Sequence, residues 1–131
     1  MSKMMETMHS FTTLFKAGEL VEACRLHMTD DFECHEPPEL PQGGVFHGWD
    51  AAIRAHEIYK AIWDCELHTS EFFEDPDREM VVSRYLMTWT SKATGKSVTQ
   101  PIIDTNEFRG DRIRKLQVYH FNAIGLMATL K

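Results

Sequence analysis

The part of the chain that follows Trp63 consists of three long blocks of β-forming residues, which are separated by turns. The turn sequences are DPD, ATGK and RGD. Blocks of this kind between short turns predict four antiparallel strands that run as a meander. Such a sheet needs helices against one of its faces in order to bury a core, so the residues before Trp63 are expected to supply them.

Three helices are predicted ahead of this sheet. Apolar residues at positions 4, 8, 11 and 15 recur at helical spacing, and Gly18 follows them as a C-terminal cap. The segment ELVEACRLHM forms a second short helix, so that the two make a helical hairpin. A third helix runs from about Trp49 to Ile62. Helices followed by an antiparallel sheet describe an α+β fold, in which the sheet wraps around the long third helix.

Length, charge and hydropathy limit the class of protein. The chain has 131 residues, of which 43% are apolar and 26% charged, and this fits one domain over residues 1–131 with its own hydrophobic core. Its formal net charge of −6, without a basic stripe, argues against nucleic acid or an anionic membrane as a partner. The sequence contains no apolar run long enough to span a membrane and no secretory leader, so we expect a cytoplasmic protein.

The cysteines and histidines predict neither a disulfide framework nor a metal site. Cys24, Cys34 and Cys65 are odd in number and widely spaced, and they are expected to be small hydrophobic residues. The seven histidines show no HExxH or similar ligand spacing. Because no phosphate-binding glycine loop occurs either, the sequence implies no cofactor.

Two carboxylates lie on the apolar side of predicted strands. From Phe32 onwards the pattern has a period of two, which places Phe32, Cys34 and Glu36 on one side. In a later strand, Asp104 shares its parity with Ile102. Burial disfavours the charged form of a carboxyl group, so its pKa rises from about 4 toward neutrality and it can give or take a proton. The two residues therefore predict acid–base chemistry in an apolar pocket.

Each carboxylate also has a purely structural interpretation. Glu36 could cap the loop that follows it, PPELPQGG, or pair with an arginine at the rim of the pocket. Asp104 could make a buried hydrogen bond to a tyrosine or threonine of a neighbouring strand. The loop itself is predicted to lie over the pocket as a rim.

The order of these elements resembles the nuclear transport factor 2-like superfamily, and within it the SnoaL-like polyketide cyclases and ketosteroid isomerases. The motifs that carry the resemblance are DDFECHEP, FHGWDAAI and PIIDTNEFRGDRIRKLQVYHFN, and it covers residues 8 to 127. The resemblance implies a cystatin-like α+β roll: a cone-shaped, curved antiparallel sheet around a long helix, with an N-terminal helical hairpin. It also implies a deep apolar pocket and a homodimer packed through the sheet.

The same resemblance implies roles for three residues and shows a departure from the family pattern at a fourth. Glu36, in HEP, falls where the isomerases have their proton-shuttling base. Asp104, in IIDTNEF, falls on the carboxyl that they keep protonated as an oxyanion donor. His120, in VYHF, replaces a tryptophan that is hydrogen-bonded to the base, and is expected to orient Glu36 or hold its proton. Phe11 departs from the pattern, because the isomerases carry the tyrosine of the oxyanion hole there.

Aromatic residues are expected to line the pocket together with one histidine. His56 and Tyr59 share a helix face with Trp63, where His56 is either a polar group of the pocket or a core histidine with its hydrogen bonds satisfied. The residues predicted to bind the ligand are Phe11, His56, Tyr59, Trp63, Tyr85 and Trp89.

Two functions of different classes are consistent with these features. The first is a cofactor-independent isomerase or cyclase, in which Asp104, Glu36 and His120 act next to a carbonyl of a small hydrophobic ligand. The second is a non-catalytic module of the same fold for ligand binding or dimerisation.

The last predicted strand carries apolar residues on both faces, which is typical of a strand covered on both sides.

Overall fold

The computed structural model describes residues 1–131 and confirms the α+β class. Its elements are α1 (Lys3–Lys16), α2 (Leu20–His27), β1 (Met28–Glu36), β2 (Gly44–His47), α3 (Ala51–Ile62), β3 (Trp63–Asp75), β4 (Met80–Ser91), β5 (Ser97–Arg109), β6 (Arg112–His120) and α4 (Ala123–Ala128). No helix is long and apolar enough to cross a membrane.

All six strands form one sheet in the order β2-β1-β6-β5-β4-β3. The predicted meander is confirmed, because β3, β4, β5 and β6 pair in sequence and antiparallel. The first strand then joins the far edge of the meander by pairing parallel with β6, and β2 pairs antiparallel with β1. The parallel pair is the one departure from an antiparallel sheet.

Irregular pairing curls the sheet around the helices. The register shifts between Met28 and Glu33 in β1, between Leu67 and Thr69 in β3, and between Glu107 and Phe108 in β5. Shifts of this kind bend a strand and increase its local twist. The inner face of the curled sheet is the face that α1, α2 and α3 cover.

The core is divided between the two ends of the roll. At the end under α1 and α2, fully buried Cys24, Phe32 and Cys34 pack together, which confirms two of the cysteines as core residues. At the other end, α4 closes the core with Leu126. Asn122 caps α4, because its Oδ1 accepts a hydrogen bond from the amide of Gly125 at 2.8 Å.

Candidate acid–base site in an apolar cavity

A cavity of about 150 Å³ lies between the helices and the inner face of the sheet. Most of its lining is hydrophobic, and residues of α1, α3 and all the long strands contribute to it. Apolar cavities of this order can hold one small aromatic ring. The cavity is therefore suited to a small hydrophobic molecule.

Glu36 and Asp104 both line this cavity. Cys34 is level with Leu116 in the β1–β6 pair, so Glu36, two residues further along, is level with Val118. Asp104 is paired with Val118 from the opposite side of β6. The pleat turns the side chains of Glu36, Val118 and Asp104 inward, so the two carboxyl groups lie on either side of a single intervening strand, β6.

Both carboxyl groups have strongly raised pKa values. Burial, reinforced by the charge of Asp104, raises the pKa of Glu36 to about 8. Burial likewise raises the pKa of Asp104 to about 7. Neither carboxyl forms an ion pair with a basic side chain. At neutral pH, Glu36 is therefore mainly protonated while Asp104 is near the midpoint of its titration.

Tyr85 is the hydrogen-bond partner of Asp104. Its hydroxyl group donates to Asp104 Oδ1 at 3.1 Å, which opposes the effect of burial on the pKa of that carboxyl. Burial raises the pKa of Tyr85 and of Tyr59 well above the ordinary value, so both remain hydroxyl donors at neutral pH. The bond to a tyrosine of a neighbouring strand, which the sequence offered as a structural alternative, thus exists inside the cavity.

The loop after Glu36, which was predicted to lie over the pocket as a rim, buries two of its own side chains. Leu40 and Gln42 are buried, and Gln42 has no exposed surface at all. Its Nε2 lies 3.5 Å from Glu36 Oε1, at the long limit of a hydrogen bond. Gly43 makes this compact path possible, because a Cβ atom there would lie 2.5 Å from the carbonyl oxygen of Pro37.

His120 lines the cavity but makes no hydrogen bond to Glu36. Burial lowers its pKa to about 4, so the imidazole is neutral at pH 7. Its Nδ1 is buried without a partner, and its ring lies 5.4 Å from that of Trp89. The amide of Gln42 occupies the place next to Glu36 that the resemblance implied for His120.

Five of the six predicted ligand-binding residues line the cavity: Phe11, His56, Tyr59, Tyr85 and Trp89. The rings of His56, Tyr59 and Trp89 follow one another at centroid distances of 5.0 and 5.1 Å. Trp63 is the exception and corrects the prediction. It is fully buried outside the lining, and its indole N–H donates to Thr129 Oγ1 at 2.9 Å beneath the C-terminal segment.

Two polar cavity residues, Ser83 and Asn106, escaped the sequence analysis, as did Gln42, which contacts Glu36 from the loop. Asn106 could have been found, because it follows Asp104 by two residues and so shares its face of the strand. Nothing in the composition of the loop marks Gln42 as buried. No three side chains of His, Cys, Asp or Glu come together as a metal-binding group.

Residues 8–116 match the family model described as the SnoaL-like domain. No protein of curated function matches the chain. Among solved structures, a nuclear transport factor 2-like protein of unknown function from Burkholderia pseudomallei is similar with a TM-score of 0.85, 19% identity and complete coverage of both chains. TerC, crystallised with polyporic acid, is similar with a TM-score of 0.84 and 16% identity, over 99% of this chain and 100% of TerC.

A further similar structure is a protein from Mesorhizobium loti, provisionally described as a SnoaL-like polyketide cyclase. It is 26% identical, with a TM-score of 0.66 over 91% of this chain and 99% of its own. The three structures share the fold of this chain.

Proposed function

The chain belongs to the SnoaL-like domain family, and from that membership we propose that it is a cofactor-independent isomerase or cyclase acting on a small hydrophobic ligand. The observation that carries the proposal is the pair of carboxyl groups with raised pKa values, Glu36 and Asp104, in one apolar cavity. Groups that exchange protons near neutral pH are what general acid–base catalysis needs. The proposed chemistry moves a proton next to a carbonyl of the ligand.

Asp104 is the proposed base and Glu36 the proposed acid. Burial raises the pKa of both carboxyl groups, but the charge of Asp104 raises that of Glu36 further, whereas the hydrogen bond from Tyr85 lowers that of Asp104, so Asp104 loses its proton first. The Tyr85 hydroxyl at 3.1 Å stabilises the ionised form of Asp104, whereas the contact of Glu36 with Gln42 is longer. This assignment is the reverse of the roles that the resemblance to ketosteroid isomerases implied.

In the proposed reaction, the Asp104 carboxylate removes a proton from the carbon next to the carbonyl. The Glu36 carboxyl donates its hydrogen to the carbonyl oxygen, and an enol results. In an isomerisation, Asp104 returns the proton to a different carbon while Glu36 recovers its own. In a cyclisation, the enol carbon attacks a second carbonyl of the same ligand while Glu36 takes back the enol proton, which restores the first carbonyl. The proton held by Asp104 then passes to the new alkoxide.

The remaining predicted residues have supporting roles in this proposal. Phe11 brings no hydroxyl group to the cavity, but Tyr59 and Tyr85 do so from α3 and β4. The aromatic rings provide an apolar surface against which a cyclic ligand can pack. His120, neutral at pH 7, serves as a hydrogen-bonding group and carries no charge.

A proton-exchange assay tests the proposal without knowledge of the natural ligand. The probe is 2-tetralone, a hydrophobic cyclic ketone with activated C–H bonds next to its carbonyl. Proton NMR in D₂O should show faster loss of these protons with the protein than in buffer. The rate should be highest between about pH 7 and 8, where Asp104 is ionised and Glu36 still protonated. Binding of 2-tetralone without exchange would favour the non-catalytic ligand-binding module.

We also propose a homodimer through the outer face of the sheet. Tyr119, expected to be covered on a strand apolar on both faces, is 47% exposed in the single chain. It is paired with Ile103 on the same outer face, and the neighbouring Phe121 is more exposed still. Sedimentation velocity should detect a dimer that Tyr119→Arg disrupts, whereas Glu71→Arg at the edge strand should matter less. A monomer at every concentration would overturn this proposal.

A further inference from the structure

Two buried polar side chains in the cavity, Ser83 and Asn106, have no part in the proton transfers proposed above. Ser83 is paired with Asp104 across β4 and β5, and Asn106 follows Asp104 by two residues on the same face of β5. Their exposed fractions are 5% and 3%, and both residues line the cavity. Side chains buried this deeply normally have a partner for each donor and acceptor.

Two hydrogen bonds fix the orientation of the Asn106 amide. Its Nδ2 donates to the main-chain oxygen of Val81 at 3.0 Å and to Ser83 Oγ at 2.9 Å. A main-chain carbonyl oxygen can only accept, so the nitrogen of the amide must be the atom that faces Val81. The Oδ1 atom therefore points away from these partners, and it accepts no hydrogen bond from the protein.

The free oxygen of Asn106 faces the cavity. The side-chain atoms that have neither a hydrogen-bond partner nor accessible surface do not include Asn106 Oδ1. Because this oxygen has no partner in the protein, it must retain accessible surface. Because Asn106 lines the cavity and is otherwise buried, that surface lies on the cavity. The hydroxyl group of Ser83 accepts from Asn106 and donates to no protein atom, so its hydrogen also remains available. One free donor and one free acceptor thus lie side by side.

Building on the proposed function of the cavity, we infer that Ser83 and Asn106 form a subsite for a hydroxyl group of the ligand. A hydroxyl bound there accepts a hydrogen bond from Ser83 and donates its own hydrogen to Asn106 Oδ1. A carbonyl or ether oxygen only accepts and leaves Asn106 unpaired, whereas an ammonium group only donates and leaves Ser83 unpaired. The subsite therefore selects hydroxylated ligands from the wider class of hydrophobic carbonyl compounds.

The strand geometry places this hydroxyl relative to the reacting carbonyl. Residues two apart on a strand are separated by roughly 7 Å, so the subsite lies about that far from Asp104 along β5. Val81 and Leu116 flank Asn106 on the neighbouring strands, so the surroundings of the hydroxyl are otherwise largely apolar. The ligand expected is a ring compound with a hydroxyl group on the side remote from the carbonyl.

Binding of two probes of nearly equal shape tests the subsite. The probes are p-cresol and p-xylene, which differ by a hydroxyl group in place of a methyl group. Titration calorimetry gives the preference for p-cresol as a ratio of dissociation constants. Asn106→Leu, which removes the acceptor at similar volume, should lower that preference roughly 3- to 10-fold and leave the affinity for p-xylene unchanged. Thr105→Val, on the outer face of the same strand, is the control and should leave the preference unaltered.

A measurement on the unmodified protein covers the case in which Asn106→Leu does not fold. The carbonyl carbon of the Asn106 side chain should shift in NMR spectra when p-cresol binds and should not respond in the same way to p-xylene. An unchanged preference in a folded Asn106→Leu variant, or p-cresol binding without a response of that carbon, would overturn the subsite and leave the proposed function standing. If neither probe nor 2-tetralone binds, the cavity is not a ligand site and both proposals fail.

Discussion

Strand β5 carries two carboxyl groups three residues apart that lie in opposite environments. Glu107, on the outer face, is paired with Arg114 at 2.7 Å and with Lys115 at 3.7 Å. Asp104, on the inner face, has a tyrosine hydroxyl group at 3.1 Å and no cationic partner. The sheet thus keeps basic side chains on its outer surface, and a carboxyl that faces inward can be stabilised only by hydrogen bonds or by holding its proton.

The same contrast appears in pKa values. The guanidinium group of Arg109 lowers the pKa of exposed Asp31, whereas burial raises the pKa of Asp104 and Glu36. The two kinds of carboxyl group therefore have opposite effects on the pH dependence of stability. The experiments below separate the two.

The largest expected difference concerns proton exchange. Asp104→Asn or Glu36→Gln should slow the exchange of 2-tetralone at pH 7.5 by about 10²- to 10⁴-fold, because each removes a proposed acid or base. Glu107→Gln, on the outer face, should leave the rate within about twofold, since an ion pair there does not touch the ligand. Proton NMR measures all three rates, and equal losses for inner and outer variants would refute the assignment.

The second difference is the sign of the pH dependence of stability. The folded pKa of Asp104, about 7, lies above its unfolded value of about 4, so the folded state holds a proton that the unfolded chain has lost. Its stabilising contribution is complete below about pH 4 and is lost as the pH rises through 7. The free energy of unfolding of Asp104→Asn, relative to the unmodified protein, should therefore increase between pH 4 and 8, on the order of 4 kcal/mol.

Asp31→Asn should show the opposite sign. The pKa of Asp31 is lowered in the folded state, so its contribution is present above its unfolded pKa and is lost as the pH falls through the folded pKa. The variant should be less stable than the unmodified protein at pH 7 and equal to it at strongly acid pH. Urea denaturation at several pH values measures the free energy of unfolding of both variants. The contribution of the buried histidines to its pH dependence cancels in the comparison, because these residues are common to all the proteins. If the free energies of unfolding of Asp31→Asn and Asp104→Asn, each relative to the unmodified protein, changed with pH in the same direction, the contrast between exposed and buried carboxyl groups would be contradicted.

A smaller effect is expected from the hydrogen bond inside the cavity. Tyr85→Phe removes the donor that stabilises ionised Asp104, so the pKa of Asp104 should rise further. The rising limb of the pH–rate profile should move to higher pH, with roughly a fivefold loss of exchange rate at pH 6. Tyr119→Phe, on the outer face, is the matched control and should leave the profile in place. No displacement for Tyr85→Phe would mean that Tyr85 does not tune the base.

The smallest effect is expected on the outer surface. Arg84 lies 3.5 Å from Glu71, and both side chains are exposed. Arg84→Met should change the free energy of unfolding by less than about 1 kcal/mol, and salt should reduce the difference. Urea titrations at low and high ionic strength measure it. A loss of several kcal/mol would show that this ion pair is not solvated but lies within the proposed dimer interface.

The sequence predicted the strands and the inward carboxyl groups well, because a period of two translates directly into a face. Phe32 and Cys34 are fully buried on the side that the pattern assigned to them, and Glu36 lines the cavity beyond them. Helical spacing predicted α1 in the same way, and the helix predicted from about Trp49 to Ile62 is α3. These are local regularities that tertiary contacts reinforce.

Other features depended on contacts that no local pattern encodes. Trp63 was placed on the helix face of Tyr59, but it is the first residue of β3, so its side chain follows the strand and packs under the C-terminal segment. Gln42 lies in a loop whose composition is typical of exposed turns. It is buried only because Gly43 lets the loop fold tightly against Pro37.

In the proposed reaction, the single strand between Glu36 and Asp104 sets the size of the group that fits between them. Two interstrand steps of about 4.8 Å separate the backbones of β1 and β5 by roughly 10 Å, and the side chains close part of that gap. Exchanging Asp and Glu at either position would alter the gap by one methylene group while the backbone stays in place. Val118 on the intervening strand also projects into this gap. Substitutions at residues 36, 104 and 118 would therefore change the length of ligand that fits in the proposed site, while the backbone of the sheet stays the same.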